Sequence, residues 1–258
     1  MDAPGGNEQA RAAVAPFAST LSIVWEAAAR LPLSDVTAHT ITTAVGQREV
    51  MIPAEGVTLA GQLSLPEAPV GAVVFAHGSG SSRLSPRNVA VAEHLQRGGL
   101  ATLLFDLLTE EEALSRANVF DVPLLAHRLG LATQWLRAEA DTSGLRVGYF
   151  GASTGAAAAL WAAAGALSGV AAIVSRGGRP DLAGPRLPLV QAPTLLIVGG
   201  ADQIVLELNR AAVAALGSCE HELVVVPGAS HLFEEPGALE QVAGLAKDWF
   251  HAHLSATP

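Results

Sequence analysis

The stretch Arg146-Val-Gly-Tyr-Phe-Gly151-Ala-Ser153-Thr-Gly155-Ala-Ala-Ala-Ala-Leu160 decides the fold. It reads as a short buried strand, a sharp turn carrying a serine between two glycines, and an alanine-rich helix. Gly151-x-Ser153-x-Gly155 is the pattern of a nucleophile elbow. A serine at the top of a strained strand-to-helix turn needs neighbours without side chains at −2 and +2, so that strand and helix can approach closely. The helix then points its unpaired N–H groups and positive dipole end at the place where an oxyanion would form. The bare pattern is a weak signal in a chain with 26 glycines, and an ordinary strand–turn–helix connection is the bland alternative. The apolar strand before it and the uninterrupted helix after it are the context that the elbow requires.

Outward from this unit, strands and helices alternate. Upstream, 49–55 and 58–65 read as a β-hairpin turning at Glu55-Gly56. The run 70–76 is continuously apolar, as a strand buried on both faces is. Ser85-Pro86 opens a helix that closes at Gly98-Gly99. A strand over 100–105 follows, then an acidic loop over 106–118 that reads as a solvated face. Asp121 caps a helix from Val122 to about Ala140. Downstream come a strand over 170–174, a loop over 175–192, a strand over 193–198, a helix over 205–216, a strand over 222–226 and a last helix over 237–253. This order predicts an α/β fold with a doubly wound, mostly parallel sheet and helices on both faces. The loop over 175–192 is too short for a large cap domain. The domain is expected over 47–258. Residues 1–46 form an N-terminal arm of undetermined order, with a short amphipathic helix available over 21–30.

With 258 residues, half of them hydrophobic, the chain can bury a full core in one domain. A net charge of −9 without basic runs argues against nucleic acid or an anionic membrane as partner. The single cysteine, Cys219, read as a spare thiol in a loop, excludes an internal disulfide and fits a reducing compartment. No signal-peptide pattern opens the chain, so a cytoplasmic location is expected. The sequence says nothing of oligomeric state.

In a doubly wound sheet the chemistry gathers at the carboxyl ends of the strands. Three such ends carry what an activated serine needs: Gly199-Gly-Ala-Asp202, Pro227-Gly-Ala-Ser-His231 and His77-Gly-Ser-Gly-Ser-Ser82. The order Ser153, Asp202, His231 is that of an α/β-hydrolase triad. A serine hydroxyl is a poor nucleophile until a base takes its proton. His231 is the candidate base and Asp202 the group that orients it. The backbone N–H groups of Thr154 and Ser79 are the candidate oxyanion hole. Gly78, Ser81 and Arg176 are candidate substrate contacts, and Arg176 with Arg179 can hold a carboxylate or phosphate. The alternative is that these arginines pair with Glu110–Glu112 or face water. His77 reads as a brace beneath its loop. Asp106, also at a strand end, precedes the serine and so breaks the triad order. Taken singly, Asp202 reads as a turn residue and His231 as a local hydrogen-bonding group; joint occurrence in three loops carries the assignment.

These motifs resemble the dienelactone-hydrolase-like branch of the α/β-hydrolases over about residues 47–258, through His77-Gly-Ser-Gly80, Gly151-Ala-Ser-Thr-Gly155, Gly200-Ala-Asp202 and Gly228-Ala-Ser-His231-Leu-Phe. The resemblance implies the α/β-hydrolase fold and an intracellular enzyme that needs no metal or organic cofactor. The namesake enzymes use a cysteine nucleophile and open a lactone, whereas this chain has serine, which favours ordinary carboxylic esters. The expected activity is hydrolysis of small or short-chain esters through an acyl-enzyme. Acyl transfer, or cleavage of lactones, thioesters or amides, uses the same triad. A catalytically silent binding or scaffold protein of the same fold is the alternative from another class.

Overall fold

In the computed structural model the described residues are 46–217 and 219–255. The reading of an N-terminal arm, with its helix over 21–30, lies outside them apart from Gly46. Eight strands form one sheet in the order β1-β2-β4-β3-β5-β6-β7-β8. β1 (Arg48–Ala54) and β2 (Val57–Ser64) are the antiparallel hairpin, and β2 joins β4 (Ala101–Phe105) antiparallel. The hairpin turn needs positive φ at both central residues, and Glu55 (φ 44) and Gly56 (φ 90) supply it. All other pairings are parallel: β3 (Ala72–Ala76) lies between β4 and β5 (Val147–Ala152), and β6 (Val170–Arg176), β7 (Thr194–Gly199) and β8 (His221–Val226) follow.

The pleat divides the core in two. Val74, Leu103, Tyr149 and Ile173 face α4 (Val122–Ala138) and α5 (Thr154–Ala163). Val73, Phe75, Phe150 and Val174 face α1 (Pro86–Arg97) and α7 (Ala238–Leu254). Helix α6 (Gln203–Ala215) packs near the β7–β8 edge. The helix starts follow local chemistry: Ser85 Oγ accepts from the Asn88 amide and Asp121 Oδ1 from that of Leu124. The β6–β7 connection is a pair of 3-10 turns over Pro180–Leu189, kinked at Gly184, that packs on α5 and α6. No described helix is long and apolar enough to cross a membrane.

Three readings need correction. The acidic run is not a plain solvated loop but two short helices, α2 (Glu110–Ala113) and α3 (Arg116–Val119). Thr109 and Glu112 close a capping box, and the other oxygen of Glu112 reaches Nη2 of buried Arg128 at 2.9 Å. Cys219 is buried with its thiol on the Leu216 carbonyl, and burial pushes its pKa up, so it packs as a small apolar residue. Strand β6 runs two residues further than hydropathy suggests, which places Ser175 and Arg176 inside the sheet.

Arg128 gives one test of this architecture. Its other bonded nitrogen donates to the Ala54 carbonyl, tying the hairpin to α4. Glu112→Ala leaves a guanidinium with 8% side-chain exposure without its carboxylate. It should lower the unfolding free energy by about 3 kcal/mol in urea titration; an unchanged midpoint would deny the pair structural weight.

Candidate active site

Ser153 has φ 51 and ψ −119, a conformation that residues with side chains adopt only when held. Both of its backbone polar groups are held. Its N–H donates to the Arg176 carbonyl at 3.2 Å, and its own carbonyl accepts from Ala156 and Arg179, each at 3.1 Å. The flanking glycines answer to contact rather than to φ. A Cβ on Gly155 would stand 2.1 Å from the Ala76 carbonyl oxygen, and one on Gly151 2.4 Å from Ala156 Cα. Thr154 opens α5, so its amide belongs to the free amino end of that helix.

Asp202 stands at the carboxyl end of β7 and caps α6, its Oδ1 accepting from the Val205 amide at 3.4 Å. Its Oδ2 lies 2.6 Å from Nδ1 of His231, with side-chain exposures of 15% and 22%. A carboxylate on Nδ1 puts the proton there and leaves the Nε2 lone pair outward. Gly177 lies beneath the ring: a Cβ there would be 3.5 Å from both Cε1 and Nδ1 of His231. The histidine loop is pinned by the Ser230 amide donating to Glu235 at 3.0 Å, and by buried Phe233 in a left-handed conformation. Hydrogen bonds from Ser230 hold the Glu235 carboxyl below the usual carboxylate range. Ser153 Oγ is not hydrogen-bonded to His231 here; such bonds often tighten only around substrate.

The loop after β3 completes the site. Nε2 of His77 accepts the Leu107 amide at 3.1 Å, so the ring proton sits on Nδ1 and donates to the Gly78 carbonyl at 3.0 Å. The same carbonyl accepts from Ser81 at 3.2 Å. In a trans peptide the N–H lies opposite the C=O, so fixing this oxygen fixes where the Ser79 amide points. Gly78 packs against Ser153, since a Cβ there would be 3.2 Å from Ser153 Cβ. Ser81 is exposed at the loop tip. Burial holds His77 below the ordinary histidine pKa, in keeping with a brace. Asp106 is committed elsewhere, accepting the amide and the guanidinium of Arg83 at 2.7 and 2.6 Å.

The two arginines differ in their surroundings. Arg179 is bidentate to Asp181 at 2.8 and 2.7 Å, not paired with Glu110–Glu112. Arg176 is buried in β6, its Nη2 3.5 Å from Asn88 Oδ1. Sequence reasoning missed Arg87 and Asn88 on the first turn of α1, and Gly177 under the imidazole. Only the Ser175-Arg-Gly-Gly178 run at a strand end signalled a special backbone.

No protein-family model matches the chain. A Mycobacterium tuberculosis protein named "Putative phosphoribosyl transferase" is 65% identical over 207 residues, which are 80% of this chain and 46% of that protein. The chain thus spans about half the length of the curated relatives it matches in this way. A lidless serine hydrolase from Xanthomonas campestris superposes with a TM-score of 0.68 at 21% identity, over 85% of this chain and all of that one, a likeness of fold. The crystal structure of a dienelactone hydrolase from Anabaena variabilis superposes with a TM-score of 0.79 at 55% identity, covering 81% of this chain and 98% of that one. That identity, carried across nearly the whole of the cyanobacterial chain on the same eight-stranded frame, makes this chain a member of the dienelactone-hydrolase-like branch of the α/β-hydrolases.

Proposed function

We propose that this chain is a serine hydrolase of small carboxylic esters that works through an acyl-enzyme. The observation that carries the reading is the 2.6 Å contact between Asp202 and His231, formed by the ends of adjacent strands, beside a serine held at φ 51. Ser153 Oγ attacks the ester carbonyl while His231 Nε2 takes its proton, and the proton then passes to the leaving alcohol. Asp202 keeps the tautomer and stabilises the imidazolium. The amides of Thr154 and Ser79 receive the tetrahedral oxyanion, each worth about 3 kcal/mol of transition-state stabilisation. Water on the same base then releases the acid. The short β6–β7 connection supports an open site for small substrates. Membership beside a dienelactone hydrolase supports hydrolysis, while serine in place of cysteine favours an unstrained ester over the lactone. The transferase name belongs to a protein more than twice the matched length.

Labelling with a fluorophosphonate probe should modify Ser153 alone, and Ser153→Ala should lower ester turnover by about 10⁴-fold or more with the fold intact. Adduct elsewhere, or retained turnover, would remove this serine from the mechanism. Asp202→Asn keeps a helix cap but removes the carboxylate from His231. Its kcat should drop by about 10³- to 10⁴-fold with little change in melting temperature.

The His77 brace carries its own pH signature. Its folded pKa lies below the ordinary 6.5, so the unfolded chain binds the proton more readily. Stability should therefore fall as the pH drops below 6.5 toward the folded value, and be unaffected above it. In a His77→Gln variant this acid loss should shrink; an unchanged profile would place the sensitivity on another group.

A further inference from the structure

Among the described residues, Arg176 is the buried charge that neither the fold nor the proposed triad explains. It is 7% exposed. Its Nε and Nη1 have no hydrogen-bond partner, and its Nη2 reaches only Asn88 Oδ1 at 3.5 Å, the limit of hydrogen-bond distance. No carboxylate of the described residues pairs with it. Burial, helped by nearby Arg87, pulls the guanidinium down to about 10, so it remains charged at neutral pH. A buried cation without a counter-ion is costly, and a fold retains one where something else supplies the charge.

The surroundings say what that something is. Asn88 lies on the first turn of α1, a helix of 12 residues whose amino end carries positive partial charge. Pro86 has no amide hydrogen, and the Asn88 amide is turned to Ser85 Oγ at 3.5 Å. Arg87 stands on the same turn, its guanidinium 3.3 Å from the half-exposed Glu234. Of these two cations only Arg87 has a carboxylate partner. Two of the three guanidinium nitrogens lack an acceptor, and a guanidinium fork beside the amino end of a helix is the donor set that binds phosphate oxygens. The place is adjacent to the chemistry, because the Arg176 carbonyl accepts the amide of Ser153.

We propose that Arg176, with Arg87 and the amino end of α1, is a receptor for a phosphate group, and that the ester cleaved at Ser153 carries such a group on its acyl or alcohol part. The second half rests on the serine-hydrolase reading; the first does not. Occupation exchanges the long Asn88 contact for charge-assisted bonds to phosphate oxygens.

The test uses the full chain with inorganic phosphate as probe, against chloride and malonate at equal ionic strength. Phosphate should raise the melting temperature of the wild type, malonate less so, and the rise should vanish in Arg176→Met. Phosphate should also slow fluorophosphonate labelling of Ser153, with an apparent affinity weakened roughly tenfold or more in Arg176→Met. Arg87→Gln, at a more exposed side chain, should weaken both effects, and it carries the test if Arg176→Met does not fold. Equal phosphate effects in wild type and variants would overturn the receptor. Malonate matching phosphate would overturn the choice of phosphate. A phosphate-dependent melting shift that Arg176→Met removes, in a protein that no fluorophosphonate labels, would leave the receptor standing and refute the hydrolase reading.

Discussion

The carbonyl oxygens of Ala76 and His77 stand 2.1 and 2.5 Å from where a side-chain carbon on Gly155 would be. That closeness presses the first turn of α5 onto the end of β3 and makes the elbow and the neighbouring loop one block. With α5 fixed there, the chain between β5 and α5 has only the sharp path through Ser153, at a cost of about 1–3 kcal/mol in backbone strain. The cost is offset by backbone hydrogen bonds that Ser153 makes to both sides. The same block sets the loop after β3, because Gly78 rests on Ser153 Cβ and the Gly78 carbonyl is held by His77. A change at Gly155 would therefore move Ser153 and the candidate oxyanion donor together.

Much of this was legible in the sequence, for physical reasons. The runs ending in Ala76, Phe105 and Val198 are mostly apolar, broken only by Thr102 and Thr194, because both faces of their strands are covered, and that pattern survives any detail of packing. Asp202 and His231 were legible because strand ends in a doubly wound sheet converge on one edge. The caps at Ser85 and Asp121 depend on neighbours three residues away, so sequence alone contains them. What stayed hidden depends on direction. Glu112 looks like one of three equivalent acids, yet only the fold brings Arg128 to it. Cys219 lies next to polar residues and is buried by tertiary contacts that its neighbours do not reveal. Arg176 was placed beyond its strand because a charge rarely ends a buried one; the pairing Ala152 with Arg176 extends β6 regardless.

That extension organises the remaining part of the site. From Ser175 to Arg179 the backbone bonds Ser153 twice and Ile197 once. The Arg176 carbonyl takes the Ser153 amide, the Gly177 amide donates to Ile197 at 2.8 Å, and the Arg179 amide donates to the Ser153 carbonyl. Gly177 leaves space for the imidazole of His231. A Cβ on Gly178 would collide with Ser175 Oγ at 2.0 Å and Ala156 Cβ at 2.7 Å, and the Gly178 carbonyl is tied to buried Asn209 at 3.0 Å. One short segment thereby links Ser153, His231 and the buried Arg176. Strand parity then decides the direction of Arg176. It shares the face of Val174, toward α1 and α7, while Ser175 faces the other way. A side chain of that length on that face, one strand from Ser153, brings its charge to Asn88 at the amino end of α1 rather than to open water. The acidic chain as a whole repels anions, and this enclosed cationic corner is where an anionic group would find a field of opposite sign.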